Sequence, residues 1–432
     1  MEQLLHYVWK YRLFPLHPLL TTDGQEIEVI DPGLPNLHAG PDFFNAKIRI
    51  GDTLWVGYVE IHERASDWFR HHHNQNPLYD SVVLHVVSQI DATPCRMTGD
   101  PIPQLELHCP PHLLHSYRQL VSTLDYPACW QIIPKIPSCI LHGWLNTLQA
   151  ERFEQKADQV SARVKFCKGN WSDALFLTLA RNFGFGINND VFEQWARTIP
   201  LHAVARHRND LFQIEAFFFG LSGLLHGEVS DAYSISLAKE YEYLAHKFGL
   251  STAITPCYWK FLRLRPSNFP HLRIAQLAVV YQHIEDFFSL LMKLPSVHEL
   301  HALLQGGTSA YWRTHYSFGK ESSERSKSLS RSSINLLILN TVVPFCYAYA
   351  KHRGDERIYV YATSLLESMK AEDNHIVRMW KEFGLIPAHA GDSQALIQLK
   401  QCYCDTKRCL FCRIGYEFLK GSNKETPLRA ET

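Results

Sequence analysis

Residues 40–63 read GPDFFNAKIRIGDTLWVGYVEIHE. The pieces NAKIRIG and LWVGYVEIH alternate apolar and polar residues, and GDT between them is a turn, so the stretch predicts an antiparallel hairpin. Side chains two apart on a strand share a face. Glu60 and His62 therefore project together, while Ile61 packs on the opposite side. Asp42 stands at the start of the first strand, and the hairpin brings its carboxylate toward Glu60. Two carboxylates at one sheet edge repel unless a cation neutralises them. The spacing points to a hard divalent ion, Mg²⁺ or Mn²⁺, held by Asp42, Glu60 and the backbone carbonyl of Ile61. His62 is then within reach of a phosphate or an attacking water.

The flanking sequence extends this into a mixed α/β region over residues 1–125. EQLLHYVWKYRLF has helical periodicity, QEIEVIDPG reads as extended, and SDWFRHHHNQNPLYD holds a short helix starting at Ser66. SVVLHVVSQ then has the continuous β-branched character of a strand covered on both faces, and PQLELH adds a further strand. Of 24 histidines, many fall in this region, and His85 interrupts the buried strand. A polar side chain on such a strand needs a partner. A rival site follows: His62, His73 (or His71) and His85 binding zinc, with Asp67 behind them. His72 reads as a surface loop residue.

Pro41-Asp42 followed by Glu60-Ile61-His62 resembles the PD-(D/E)xK nuclease superfamily. Glu2 on the preceding helix corresponds to an additional acidic residue of some members, and SVVLHVV falls where that core has its next strand. The resemblance implies a restriction-endonuclease-like fold, phosphodiester hydrolysis, and Asp42 and Glu60 as metal ligands. His62 stands where the superfamily has lysine, a departure that favours a catalytically degenerate binding module as the alternative. Over nearly its full length, through NFGFGIN, QIEAFFFGLSGLL, RPSNFPHLRIAQLA and CLFCRIG, the chain resembles an uncharacterised bacterial domain-of-unknown-function family. That likeness brings no activity with it.

Residues 126–400 read as a helical domain, with Ser172 and Asn189 as helix caps. GKESSERSKSLSRSS (319–333) reads as a flexible, Ser-rich loop. INLLILNTVVPFCYAYA (334–350) is interrupted by Asn335, Asn340 and Pro344, so it predicts a buried helix and no membrane span. MEQLLHYVWKYRLF has no signal-peptide core, and the expected location is cytoplasmic. Lysine plus arginine equals aspartate plus glutamate, 43 each, so overall charge gives no argument for nucleic acid. Arg263, Arg265 and Arg273, close to Trp259, are the candidates for contacts to a DNA or RNA backbone. Salt bridges within the helical domain are the other use for them.

QCYCDTKRCLFCRIG places Cys402, Cys404, Cys409 and Cys412 within one short segment, 401–418. The two-residue gap of Cys409 and Cys412 suits a shared ion, either zinc or an iron–sulfur cluster. Cys402 is the weakest ligand of the four, because a Cys-x-Cys pair in extended chain diverges. Residues 419–432 read as a disordered tail. The expected fold class is α+β: an N-terminal mixed sheet with flanking helices, a mostly helical domain and a short cysteine segment. The expected function is a metal-dependent nuclease. A nuclease-fold module that binds nucleic acid or protein, and a zinc hydrolase using His62, His73 and His85, are the alternatives.

Overall fold

The computed structural model describes residues 2–14, 17–36, 39–123, 126–225, 231–250 and 254–421. The chain divides into two compact units: the segment up to Leu141 together with the segment from Leu399 onward, and His142–Gln398. The division falls at 141/142, where the sequence turns to helical periodicity, and not at the 125/126 limit of the α/β region.

The first unit is built on a mixed sheet. Its strands are β1 (Leu19–Leu20), β2 (Glu26–Asp31), β3 (Leu34–Pro35), β4 (Phe43–Ile50), β5 (Thr53–Arg64), β6 (Val82–Gln89) and β7 (Gln104–Glu106). They lie in the order β1-β2-β4-β5-β6-β7, with β3 paired on β4. The pairs β1/β2, β2/β4, β3/β4 and β4/β5 are antiparallel, whereas β5/β6 and β6/β7 are parallel. A parallel pair needs a crossover connection. Here that crossover carries α2 (Asp67–Arg70) and two tight turns, His73–Gln75 and Pro77–Tyr79. Helix α1 (Glu2–Lys10) lies against β5 and buries Leu4, Leu5, Val8 and Trp9.

Local sequence explains these elements. β4 alternates buried Ala46, Ile48 and Ile50 with exposed Lys47 and Arg49, the pattern of a strand with one covered face. From Val82 to Val87 every residue of β6 is buried, as its apolar run requires. One extra residue enters β4 between Phe43 and Ala46, where Asn45 has φ +58°. Such a bulge bends the strand and re-aims the side chains beside it. Asp42 immediately precedes this bulge.

The cysteine segment is no separate piece. Helix α3 (Pro111–Ser122) follows β7, and after a wide helical turn (Leu399–Cys404) and a tight one (Cys409–Phe411) a last helix, Arg413–Gly421, closes the unit. Tyr416 on that last helix meets the rings of Tyr7 and Tyr11, with centroids 6.4 and 4.8 Å away. Of the tail expected to be disordered, residues 419–421 finish the helix, and those from 422 lie outside the described residues.

The second unit is helical around one large aromatic core that includes Phe183, Trp195, Phe217, Phe218, Phe219 and Trp312. Among the described residues, the stretch Arg331–Arg353 is long and apolar enough to cross a membrane, but 72% of its most apolar window is buried inside the protein. It is a core helix with a wide turn at Ile338–Val342, just ahead of Pro344. The Ser-rich 319–333 segment is not a free loop. Lys327 is 6% and Leu329 4% exposed, and Lys327 Nζ donates to His315 O and Ser322 Oγ, both at 2.9 Å. Gln276 Nε2 in turn donates to Lys327 O at 2.8 Å. One buried leucine and one buried, bonded lysine outweigh the serines around them.

Candidate metal centre

On β5, Val59 and Ile61 point to one face and Glu60 and His62 to the other, and all four are buried. His85 on β6 is paired with Glu60 across the parallel ladder and shares its face. The crossover brings His71 and His73 to the same place. His62 sits at the centre of the group. Its Nδ1 is 2.8 Å from His85 Nε2, and its Nε2 is 3.2 Å from His71 Nδ1 and 3.4 Å from Glu60 Oε1. Glu60 Oε1 is also 3.2 Å from His73 Nε2. One nitrogen each from His62, His71 and His73 lie within 4.8 Å of one another.

Packing fixes these rings. His73 stacks on Tyr79 with centroids 3.8 Å apart, and Trp68 meets His73 and His85 edge-on or tilted. Trp68, Tyr79 and Val82 form the local apolar cluster behind them. The other carboxylate joins through the backbone. Ile61 N–H donates to Asp42 Oδ2 at 2.9 Å, and Asp42 N–H donates to Glu60 Oε2 at 3.1 Å. His6 Nε2 of α1 is 3.4 Å from Asp42 Oδ2. Asp42 and His6 are partly exposed and His71 is exposed, so they form the open side of the group.

The electrostatics follow from this burial. Glu60 is pushed up to about 9, first by burial and then by Asp42 beside it. Asp42 is raised as well, again chiefly by burial, against the opposing pull of His6. His62 is pushed down to about 2 by burial and then by His85, His73, His71 and His6. Burial takes His73 to about 4 and His85 to about 3. Neutral imidazoles keep the lone pairs a metal requires. His85 Nδ1 is buried without a hydrogen-bond partner, and the buried His6 Nε2 and His73 Nε2 face Asp42 and Glu60 as close ion-pair contacts without hydrogen-bond geometry. Buried polar atoms are rarely left this way, and a group of strongly shifted side chains marks a candidate functional site.

Sequence spacing brought Asp42, Glu60, His62, His73 and His85 to notice, and they do converge. Asp67 does not join them: it is buried, accepts from Arg64 N–H at 3.3 Å and pairs with Arg70 at 3.1 Å. Ile61 contributes its N–H to Asp42. His6 was missed. Its signal was the Glu2–His6 spacing, which puts both side chains on one face of α1.

The three arginines separate. Arg263 and Arg265 are exposed. Arg273 is buried, with Nη1 and Nη2 donating to Gln276 Oε1 and Asn268 Oδ1 and its guanidinium 4.1 Å from the Phe185 ring centroid. It is therefore unavailable to a nucleic-acid backbone. Its helix, Pro270–His283, is buried from Pro270 to Val280, so an arginine in the second turn has nowhere to go but the core.

Over residues 2–375 the chain matches the family described as Protein of unknown function (DUF2851), and it belongs to that family. The matched range covers the whole histidine–carboxylate group and ends ahead of the C-terminal cysteines. No match is found among curated proteins or among solved structures.

Proposed function

We propose that this member of the family is a metal-dependent hydrolase of phosphodiesters, with DNA or RNA as its substrate class. The observation that carries the reading is a chain of close contacts next to the Asp42 carboxylate: His71 Nδ1 to His62 Nε2 at 3.2 Å, His62 Nε2 to Glu60 Oε1 at 3.4 Å, and Glu60 Oε1 to His73 Nε2 at 3.2 Å. Imidazole with carboxylate suits Mn²⁺ or Zn²⁺ better than Mg²⁺, which favours oxygen ligands alone. Glu60, His62 and His73 are the residues that would hold the ion, with Asp42 and His71 on its open side. His85 would orient His62 from behind, as an outer partner does in histidine metal sites. Such an ion polarises a phosphoryl oxygen and makes a bound water more acidic. His6, with Nε2 3.4 Å from Asp42 Oδ2, would stand on the open side of the ion.

The phosphodiester class rests on the PD…ExH arrangement, with Asp42 beside β4 and Glu60-Ile61-His62 on the adjacent strand. The parallel β6 next to β5 supports the same nuclease-like reading. A zinc hydrolase of another substrate class is favoured by one observation of its own, the three imidazoles whose nitrogens lie within 4.8 Å. A three-histidine set leaves a fourth position open for water or substrate.

The test uses the full chain, stripped of metal and reloaded with Mn²⁺, Zn²⁺ or Mg²⁺, on labelled single- and double-stranded DNA and RNA. Cleavage with Mn²⁺ or Zn²⁺, lost in Glu60→Gln and His62→Ala, is the expected result. Metal bound at these residues without cleavage of any polynucleotide would shift the reading to the other hydrolase class. Polynucleotide binding without metal would leave only the degenerate module.

A further inference from the structure

The four cysteines of the C-terminal segment do not form one set. Cys402 and Cys404 lie on the single helical turn Leu399–Cys404, and residues two apart on a helix do not face each other. After Cys404 the chain reverses sharply: Arg408 N–H donates to Tyr403 O at 2.8 Å, and Lys407 has φ +53°. Cys409 and Cys412 then begin and follow one tight turn, closed by Cys412 N–H donating to Cys409 O at 3.2 Å. Gly415 allows the final helix to press on this turn, since a Cβ there would stand 2.1 Å from Cys409 O.

A fourth thiol comes from the earlier segment of the first unit. Lys407 Nζ donates to Val121 O at 2.7 Å, and Tyr126 Oη donates to Asp405 Oδ1 at 2.8 Å. These two bonds tie the segment after α3 to the Cys404–Cys409 reversal. Tyr126 also engages the Cys404 thiol. Three residues on is Cys129, 8% exposed, in a turn where Ile132 N–H donates to its carbonyl at 3.1 Å. That turn reaches the last helix, with Ile132 Cδ1 3.7 Å from where a Cβ on Gly421 would stand. Cys412 is 6% exposed, and none of the four thiols is in a disulfide.

These bonds and turns bring the thiols within electrostatic reach of one another. Cys404 is raised by burial and then by Cys412, Cys129 and Cys409, and Cys129 by burial and then by Cys412 and Cys409. Apolar burial alone makes such thiols inert, whereas a coordinated metal removes their protons outright.

We propose that Cys129, Cys404, Cys409 and Cys412 form a four-thiolate centre for a thiophilic metal, either zinc or an iron–sulfur cluster, and that Cys402 stands outside it. The centre joins the two segments of the first unit. It is separate from the histidine–carboxylate group and independent of any hydrolase activity there.

The experiment is metal analysis and an absorption spectrum of the full-length protein, purified anaerobically, as wild type, Cys402→Ser, Cys129→Ser and Cys129→His. Metal at full occupancy in wild type and Cys402→Ser, and lost in Cys129→Ser, is the expected result. Iron with visible absorption identifies a cluster, and zinc without it identifies a zinc site. If Cys129→Ser fails to fold, Cys129→His keeps the question open to a clear answer: a Cys₃His set still holds zinc, and cobalt reconstitution shows its thiolate absorption with one ligand fewer. Metal retained in Cys129→Ser but lost in Cys402→Ser would overturn the assignment. So would wild-type protein whose only metal disappears with Glu60→Gln.

Discussion

Glu60 is the residue on which the electrostatics of the histidine group turn. Burial and Asp42 hold it near 9, so it keeps its proton at neutral pH until a cation replaces that proton. His62, His73 and His85 are already neutral there and have nothing to release. Binding of Mn²⁺ or Zn²⁺ near neutral pH should therefore release about one proton per ion, with affinity rising as pH approaches 9. Calorimetry in buffers of different ionisation heat measures this, and Glu60→Gln should abolish the release. Binding heats that ignore the buffer would remove Glu60 from the ligand set. A second buried acid, Glu215 in the helical unit, tests the same physics without metal. Burial lifts it to about 7 against hydrogen bonds from Tyr233 and Ser309. A carboxyl raised in the folded state contributes fully below its unfolded value of 4.5, and that contribution is lost as pH rises through about 7. Glu215→Gln should match wild type near pH 5 and exceed it near pH 8.5, by up to about 3 kcal/mol, in denaturant midpoints. Parallel pH profiles would rule this out. At this scale the sequence showed what lies two residues apart on one strand, Glu60 with His62. It did not show Arg273 entering the core, because an arginine among apolar residues looks the same at a surface.

Elements hold these residues at the right depth, and the β5–β6 pair is closely packed at one glycine. At Gly57 a Cβ would stand 2.4 Å from Val83 Cγ1 and 2.8 Å from Ser81 O, so only glycine lets the strands close three residues before Glu60. Gly57→Ala should cost roughly 1–3 kcal/mol as overpacking and weaken metal binding through the displaced Glu60/His85 pair. Gly143 is the control: it is helical, and a Cβ there meets nothing within 4 Å. Gly143→Ala should stabilise by about 0.5–1 kcal/mol. Chemical denaturation and metal titration of the two variants separate strand closure from a general effect of added methyl groups. A neutral Gly57→Ala would mean that β6 yields without moving His85. The hairpin and the buried β6 were legible because periodicity is local. Helix starts were less so: Asn170, not Ser172, caps the helix Trp171–Phe183, its Oδ1 accepting from Ser172 N–H and Asp173 N–H. Both residue types cap well, and the choice between them depends on where the preceding turn ends.

The molecule as a whole has a discontinuous first unit, and local pattern cannot reveal that. What returns the C-terminus is a set of contacts between residues far apart in the chain: Tyr416 with Tyr7 and Tyr11, Lys407 with Val121, and Asp405 with Tyr126. Cys129 was overlooked for the same reason, since its thiol partners lie far along the sequence. The helical unit differs, because every member of its main core falls between Phe153 and Ala390. His142–Gln398 expressed alone should therefore fold cooperatively. Ending the chain at Gln398 should leave that unit's amide protection unchanged. The same truncation strips Tyr7 and Tyr11 of their ring partner, and leaves Val121 and Tyr126 without theirs. Hydrogen exchange should then quicken in α1, in α3 and around Cys129, while β5 and β6, zipped by their own ladder, change least. Uniform loss of protection across both units would mean that they fold as one. Unchanged protection in α1 and α3 would mean that the segment from Leu399 only decorates a unit already complete without it.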